Sequence, residues 1–96
     1  MKQILSLCLL AATLTLSSPV HAADCYADYK AKQDKPLRLH YGVMELRGDC
    51  SRGSAQGEVA PRLRKAGWTL LNVVSVFGPG GLSQRKDSAG PYYLRF

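Results

Sequence analysis

Few side chains in this 96-residue sequence can do chemistry, and the first to weigh are Cys25 and Cys50. Their spacing is not that of a C-x-x-C redox pair. With His40, the one histidine outside the first 22 residues, they cannot complete an ordinary zinc set. A single internal disulfide is what remains, with two free thiols or an intermolecular bridge as the alternatives. A bridge closing a loop of this length contributes about 3.5 kcal/mol by chain entropy. If it forms, neither sulfur is a nucleophile.

His40 sits beside Tyr41 in an alternating segment. Its roles are general base, pH sensor, or a partly exposed structural histidine, and the last is expected. No motif places a serine or cysteine near it, and the seven carboxylates show no acid–base pairing. The stretch "FGPGGLSQRK" (77–86) has glycines that would let backbone N–H groups approach an anion. It lacks the G-x-x-x-x-G-K-[ST] spacing and has no helix signal behind it, so it reads as a hairpin loop. Arg85 and Lys86 on that loop could still meet an anionic partner. No catalytic, cofactor-binding or metal-binding residue is expected, and the chain is not expected to be an enzyme.

The N-terminus determines the compartment in which the cysteines act. Lys2 precedes the apolar run "ILSLCLLAATLTL", and "SSPVHA" closes it with Val20 and Ala22 where a signal peptidase reads small residues. The run is shorter than the roughly 20 apolar residues of a membrane span. Neither Leu7 before Cys8 nor Asp24 before Cys25 suits lipid attachment. Residues 1–22 therefore read as a cleaved signal peptide and 23–96 as one small domain, periplasmic or secreted, where a disulfide persists. A domain this short needs such a staple.

Cleavage removes Lys2, leaving 12 of the 13 lysines and arginines, all seven carboxylates, and a net charge of +5. That excess either serves solubility or steers the domain toward anionic lipid, polysaccharide or an acidic protein. The cations are dispersed, without a block of like charge. Nucleic acid is not an expected partner, and no membrane span remains after cleavage.

Along the mature chain, "DCYADYKAKQD" (24–34) reads as a short helix capped by Asp24 and ended before Pro36. "PLRLHYGVMEL" alternates, predicting a half-buried strand with Leu37, Leu39, Tyr41 and Val43 on the apolar face and Arg38, His40 and Met44 behind. "RGDCSRGSAQG" reads as a loop. Ala55, Val59, Leu63 and Ala66 form one helical stripe ended by Gly67, with Pro61 placing the regular helix start near 57–60 or bending it there.

"WTLLNVVSVF" (68–77) is β-rich but does not alternate. Trp68, Leu70, Val74 and Val76 share one face with Asn72, and Leu71, Val73 and Phe77 share the other. A strand apolar on both sides needs cover on both. Residues 78–90 read as a connection and "PYYLRF" as a last strand.

These elements predict an α+β domain: a three-stranded β-α-β-β sheet packed on one helix, with a short N-terminal helix and one disulfide. The crossover makes its two strands parallel, and the last strand returns antiparallel between them. Such a sheet has a second face to be covered by the N-terminal helix, a second copy, or a partner.

The pattern carried by Leu63, Gly67, Trp68, Leu70, Val73, Val74, Tyr93, Leu94 and Arg95 resembles a family of very short, uncharacterised bacterial βαββ domains with a Gly-Trp-x-Leu helix-to-strand motif. The resemblance covers roughly residues 37–96. It implies the fold and no activity, because that family has no assigned function. The export signal, the cysteine pair and Thr69, where the family usually carries Glu, depart from it.

The function expected is binding: an interaction domain for an unknown protein or a second copy of itself, with Arg62, Lys65, Arg85, Lys86, Tyr92 and Val74 as candidate contacts and Cys25–Cys50 as the staple. The alternatives are recognition of an anionic envelope polymer through Arg62, Arg64, Lys65, Arg85 and Lys86, or inhibition of a periplasmic enzyme. Trp68 is expected in the core, and Asn72, if buried, must find a hydrogen-bond partner.

Overall fold

A computed structural model describes residues 25–96; the expected signal peptide, residues 1–22, lies outside the described residues. The order is β1 (Cys25–Gln33), β2 (Arg38–Leu46), α1 (Arg52–Lys65), β3 (Thr69–Phe77), a 3-10 turn (Pro79–Gly81), α2 (Ser83–Ala89) and a second 3-10 turn (Gly90–Tyr92). The sheet order is β2-β1-β3, with β1 antiparallel to both neighbours. The α+β class, the three-stranded sheet, the packed helix and the Cys25–Cys50 disulfide are all present.

The position of two strands differs from the expectation. β2 and β3 run parallel, as the crossover requires, and an antiparallel strand lies between them. That middle strand is the N-terminal segment rather than the C-terminal one. Residues 25–33 are not a helix, because Cys25, Ala27, Tyr29 and Ala31 alternate into the core at period two. "PYYLRF" is not a strand either: it forms a 3-10 turn and one isolated bridge from Tyr93 to Val43 at the outer edge of β2. The middle place is already taken, so the C-terminus can only cover an edge.

On the inner face, Ala27, Tyr29 and Ala31 of β1 pack with Met44 and Leu46 of β2 and with Ala55, Val59 and Leu63 of α1. The missing alternation in β3 has a structural cause. The register with β1 steps from Asp28–Ser75 to Tyr29–Val73, and again from Lys30–Asn72 to Ala31–Leu70. Val74 and Leu71 are the extra residues of two bulges, which leave part of a strand unpaired and re-aim its side chains. Leu70, Val73 and Val76 thereby share the inner face at a spacing of three. Asn72 is exposed opposite Lys30, so it carries no burial cost.

Helix α1 starts earlier than Pro61 suggested, at Arg52, with Ser51 as N-cap accepting from the Ser54 N–H at 3.2 Å. Pro61 lies inside it and withdraws one backbone bond. Burial of Ala55, Val59 and Leu63 holds the helix across that defect, while Ala66 is exposed at the C-cap. Gly67 takes φ +89°. The Gly67 N–H then donates to the Arg64 carbonyl and the Trp68 N–H to that of Leu63. This is a Schellman stop in which Trp68 packs back on Leu63.

The disulfide ties the first residue of β1 to the residue before the α1 cap, with Cα atoms 5.8 Å apart. Glu58 secures the same loop by accepting from the Arg47 and Gly48 N–H groups and from Arg62 Nη1, at 2.8–3.1 Å. Replacing both cysteines by serine is expected to lower unfolding stability by about 2–4 kcal/mol. Urea denaturation of the variant, with far-UV circular dichroism on the native side, checks this.

Candidate functional site

The outer sheet face divides into two halves. One is closed by α2, which lies over β2 and buries Val43. Asp28 of the central strand holds it in place. Its carboxylate accepts from Ser75 Oγ (2.6 Å), Tyr41 Oη (2.7 Å) and Arg85 Nε (3.0 Å), and the residue is 4% exposed. Arg85 also donates to the Gly81 carbonyl at 2.7 Å and lies 3.9 Å over the Phe77 ring. Burial pushes the Asp28 carboxyl up. The hydrogen bonds from Ser75, Tyr41 and Arg85, and the charge of Arg85, outweigh that effect and hold it below the usual carboxylate range. Burial, followed by the bond to Asp28, drives the Tyr41 hydroxyl up to about 12. Residues 78–90 are therefore a folded cover, contrary to the loop expected there. The Gly-Pro-Gly-Gly run hid a short helix whose anchor, Arg85, meets its partner 57 positions away.

On the inner face, at the start of β2, His40 occupies an aromatic enclosure. It stacks on Tyr92 at 3.7 Å between ring centroids and meets Trp68 edge-on at 4.2 Å. Its Nε2 shares a hydrogen bond with Tyr29 Oη at 3.0 Å. Nδ1 is buried without a partner. The alternation read in β2 is correct, but its inside and outside are exchanged: His40 and Met44 point to the core, while Leu39 is 66% exposed. Gly42 allows this. The Tyr29 ring lies over its Cα, and a Cβ there would overlap the ring and hydroxyl. Burial lowers the affinity of His40 for a proton and drives the Tyr29 hydroxyl up to about 12. The imidazole is 8% exposed, and the Tyr29 phenol beside it does not ionise near neutrality.

The other half of the outer face, toward the β1–β2 hairpin, is open. Lys30 stands opposite Tyr41 and Lys32 opposite Leu39. The bulged Leu71 adjoins them, and a shallow hollow of ≈ 290 Å³ is lined by Lys30, Ala31, Leu39, His40, Tyr41 and Leu71. Leu37, Leu39 and Leu71 are 64%, 66% and 51% exposed. Among the described residues the other exposed large aliphatic side chains are Val74 and Leu94.

The contact residues expected from sequence do not form one surface. Arg85 is spent on Asp28 and Gly81. Arg62 bonds Glu58 and the Glu45 carbonyl, and its guanidinium lies 5.4 Å from the Phe96 ring. Tyr92 is half-buried on His40. Lys86 is exposed near Tyr93, on the flank of α2, and lines a separate groove of ≈ 380 Å³ with Asp87 and Arg95. Val74 is 36% exposed on a bulge whose carbonyl is capped by Arg52 Nη2 at 2.7 Å. Lys65 alone of the six lies near the open end: it closes α1, next to the Gly67 carbonyl that accepts from Gln33 at the end of β1. Sequence reasoning missed Leu39 and Leu71 because it assigned both to buried faces.

Among the described residues, no group of three or more His, Cys, Asp or Glu side chains is placed to hold a metal ion, and no helix is long and apolar enough to cross a membrane. No protein-family model, curated protein or solved structure matches the chain.

Two consequences are testable. The unfolded chain binds the His40 proton more tightly than the folded one, so stability should be full above about pH 6.5 and fall as pH drops below it. Asp28 adds a second loss below its unfolded value of 3.8, as pH falls through the lower folded value. Urea midpoints measured across this range should show both steps, and His40→Phe should remove the first. Separately, Arg85→Ala should cost about 2 kcal/mol and raise protease cleavage within 78–90 while β1–β2 protection in hydrogen exchange persists.

Proposed function

We propose that this chain is an exported, non-catalytic binding domain whose contact surface is the open half of the outer sheet face. The observation that carries the proposal is the set of three exposed leucines, Leu37, Leu39 and Leu71, beside Lys30 and Lys32. Aliphatic side chains left in water on a domain whose other sheet face is packed represent unspent burial energy, and contiguous exposed apolar surface marks interaction sites. The remaining polar clusters serve the fold: Asp28 holds α2, Glu58 holds the loop before α1, and His40 fills the aromatic enclosure. Export is supported by the apolar leader with its small-residue end and by the disulfide, which persists in an oxidising compartment.

A photo-crosslinking residue placed at Leu39, in cells of the host, tests the surface. Adducts, whether protein or lipid, are expected from position 39 and not from Gln56, which is exposed on α1 on the opposite side of the sheet. Equal yields from both positions, or adducts from position 56 alone, would sink the assignment.

A further inference from the structure

The open half-face belongs to a pole of the molecule with a strong charge bias. Lys30 and Lys32 flank the leucines on β1, and Lys35 and Arg38 are exposed on the hairpin turn and the start of β2. The C-terminal turn of α1 brings Arg64 and Lys65 to the same end, because Gln33, at the end of β1, donates to the Gly67 carbonyl at 3.2 Å. Asp34 is the one carboxylate in the hairpin turn, paired with Lys32 at 3.2 Å. Glu45 and Asp49 lie toward the far end of β2 and the loop after it, where the amides of Arg47 and Gly48 hold Glu58. The basic side chains are thus unevenly distributed along the strand axis.

We infer that this pole docks on an anionic lipid surface, with Leu37, Leu39 and Leu71 entering the interface and the surrounding lysines and arginines meeting lipid phosphates. The inference rests on the contact surface proposed above and names its partner. Two features favour a lipid surface over an acidic protein. Leu37 and Leu39 sit on the hairpin turn and the strand start, each about two-thirds exposed, and the hollow beside Leu39 is shallow and open rather than a closed pocket. A fluid interface accepts such side chains without a preformed match, and a mixture of aliphatic insertion and basic residues is the chemistry of peripheral binding to anionic bilayers. The cations at this end also come from two elements, β1–β2 on the sheet and the last turn of α1 behind it. Each lysine near such a surface strengthens binding by about fivefold, and the effect weakens with salt.

The experiment is co-sedimentation of the protein, purified from its host with the disulfide intact, with vesicles of phosphatidylcholine alone or mixed with phosphatidylglycerol. Partition into the anionic vesicles at low salt is expected, with little into the neutral ones. Lys30→Gln, Lys32→Gln and Lys35→Gln together should weaken it on the order of 100-fold. Leu39→Ser with Leu71→Ser, which leaves the charge unchanged, should weaken it by roughly tenfold or more. Arg47→Gln with Arg95→Gln, away from the pole, should leave it unchanged; circular dichroism confirms that each variant is folded. Absence of partition into anionic vesicles overturns the inference, as does equal loss from the Arg47 and Arg95 changes or indifference to the leucine changes. If vesicles fail while position 39 yields a protein adduct, the lipid assignment falls and the contact surface stands. If position 39 yields no adduct as well, both fall.

Discussion

A carboxylate buried in the middle strand of a three-stranded sheet cannot be left alone, and the arrangement of the outer face follows from that requirement. Removing an ion from water costs several kcal/mol unless charge and hydrogen bonds replace the solvent. Asp28 obtains them from three directions: Tyr41 on β2, Ser75 on β3 and Arg85 on α2. The first two lie on its own sheet. The third comes from a seven-residue helix with only one buried residue, Ala89, and no side-chain N-cap bond. A helix that short has little stability of its own, so the Asp28–Arg85 contact and the cation stacked on Phe77 account for its fixed place.

That anchor also defines where cover ends. With Arg85 centred on Asp28, α2 closes the rows of Val43 and Phe77, and the chain then passes the outer edge of β2 through the Tyr93–Val43 bridge. Tyr92 and Phe96 reach the inner side, where they meet His40 and Arg62. The rows of Tyr41 with Lys30 and Leu39 with Lys32 receive no second layer. The open pole is therefore not an accident of one side chain. It is the part of the outer face left over once a short C-terminal segment has satisfied the buried charge and blocked an exposed strand edge, a risk for any small sheet. The other edge is protected by other means: two bulges break the β3 ladder, and Arg52 caps the carbonyl of one of them.

The inner face works by fit of size. Ala27, Ala31 and Ala55 keep sheet and helix close, while Tyr29 uses the space that Gly42 leaves. His40 enters the core because three aromatic rings surround it, and its unpartnered Nδ1 is a local cost that this packing offsets. Such a histidine ties stability to pH.

Sequence alone determined the class of this domain, its disulfide, the apolar stripe of α1, the Gly67 stop and the strand after it. Each depends on residues close together in the chain, or on a count of two cysteines with one pairing. Only the tertiary structure decided which strand is central, because β-pairing is non-local and the alternation of residues 25–33 resembled a capped helix start. It also decided which side of β2 is inside: alternation gives two faces but not their sign, and the sign depends on the Tyr29–Gly42 fit. The candidate site was hidden for the same reason. Leu39 and Leu71 have core-forming side chains, and only the bulges of β3 and the reach of an Arg85 anchored 57 residues from its partner leave them in solvent.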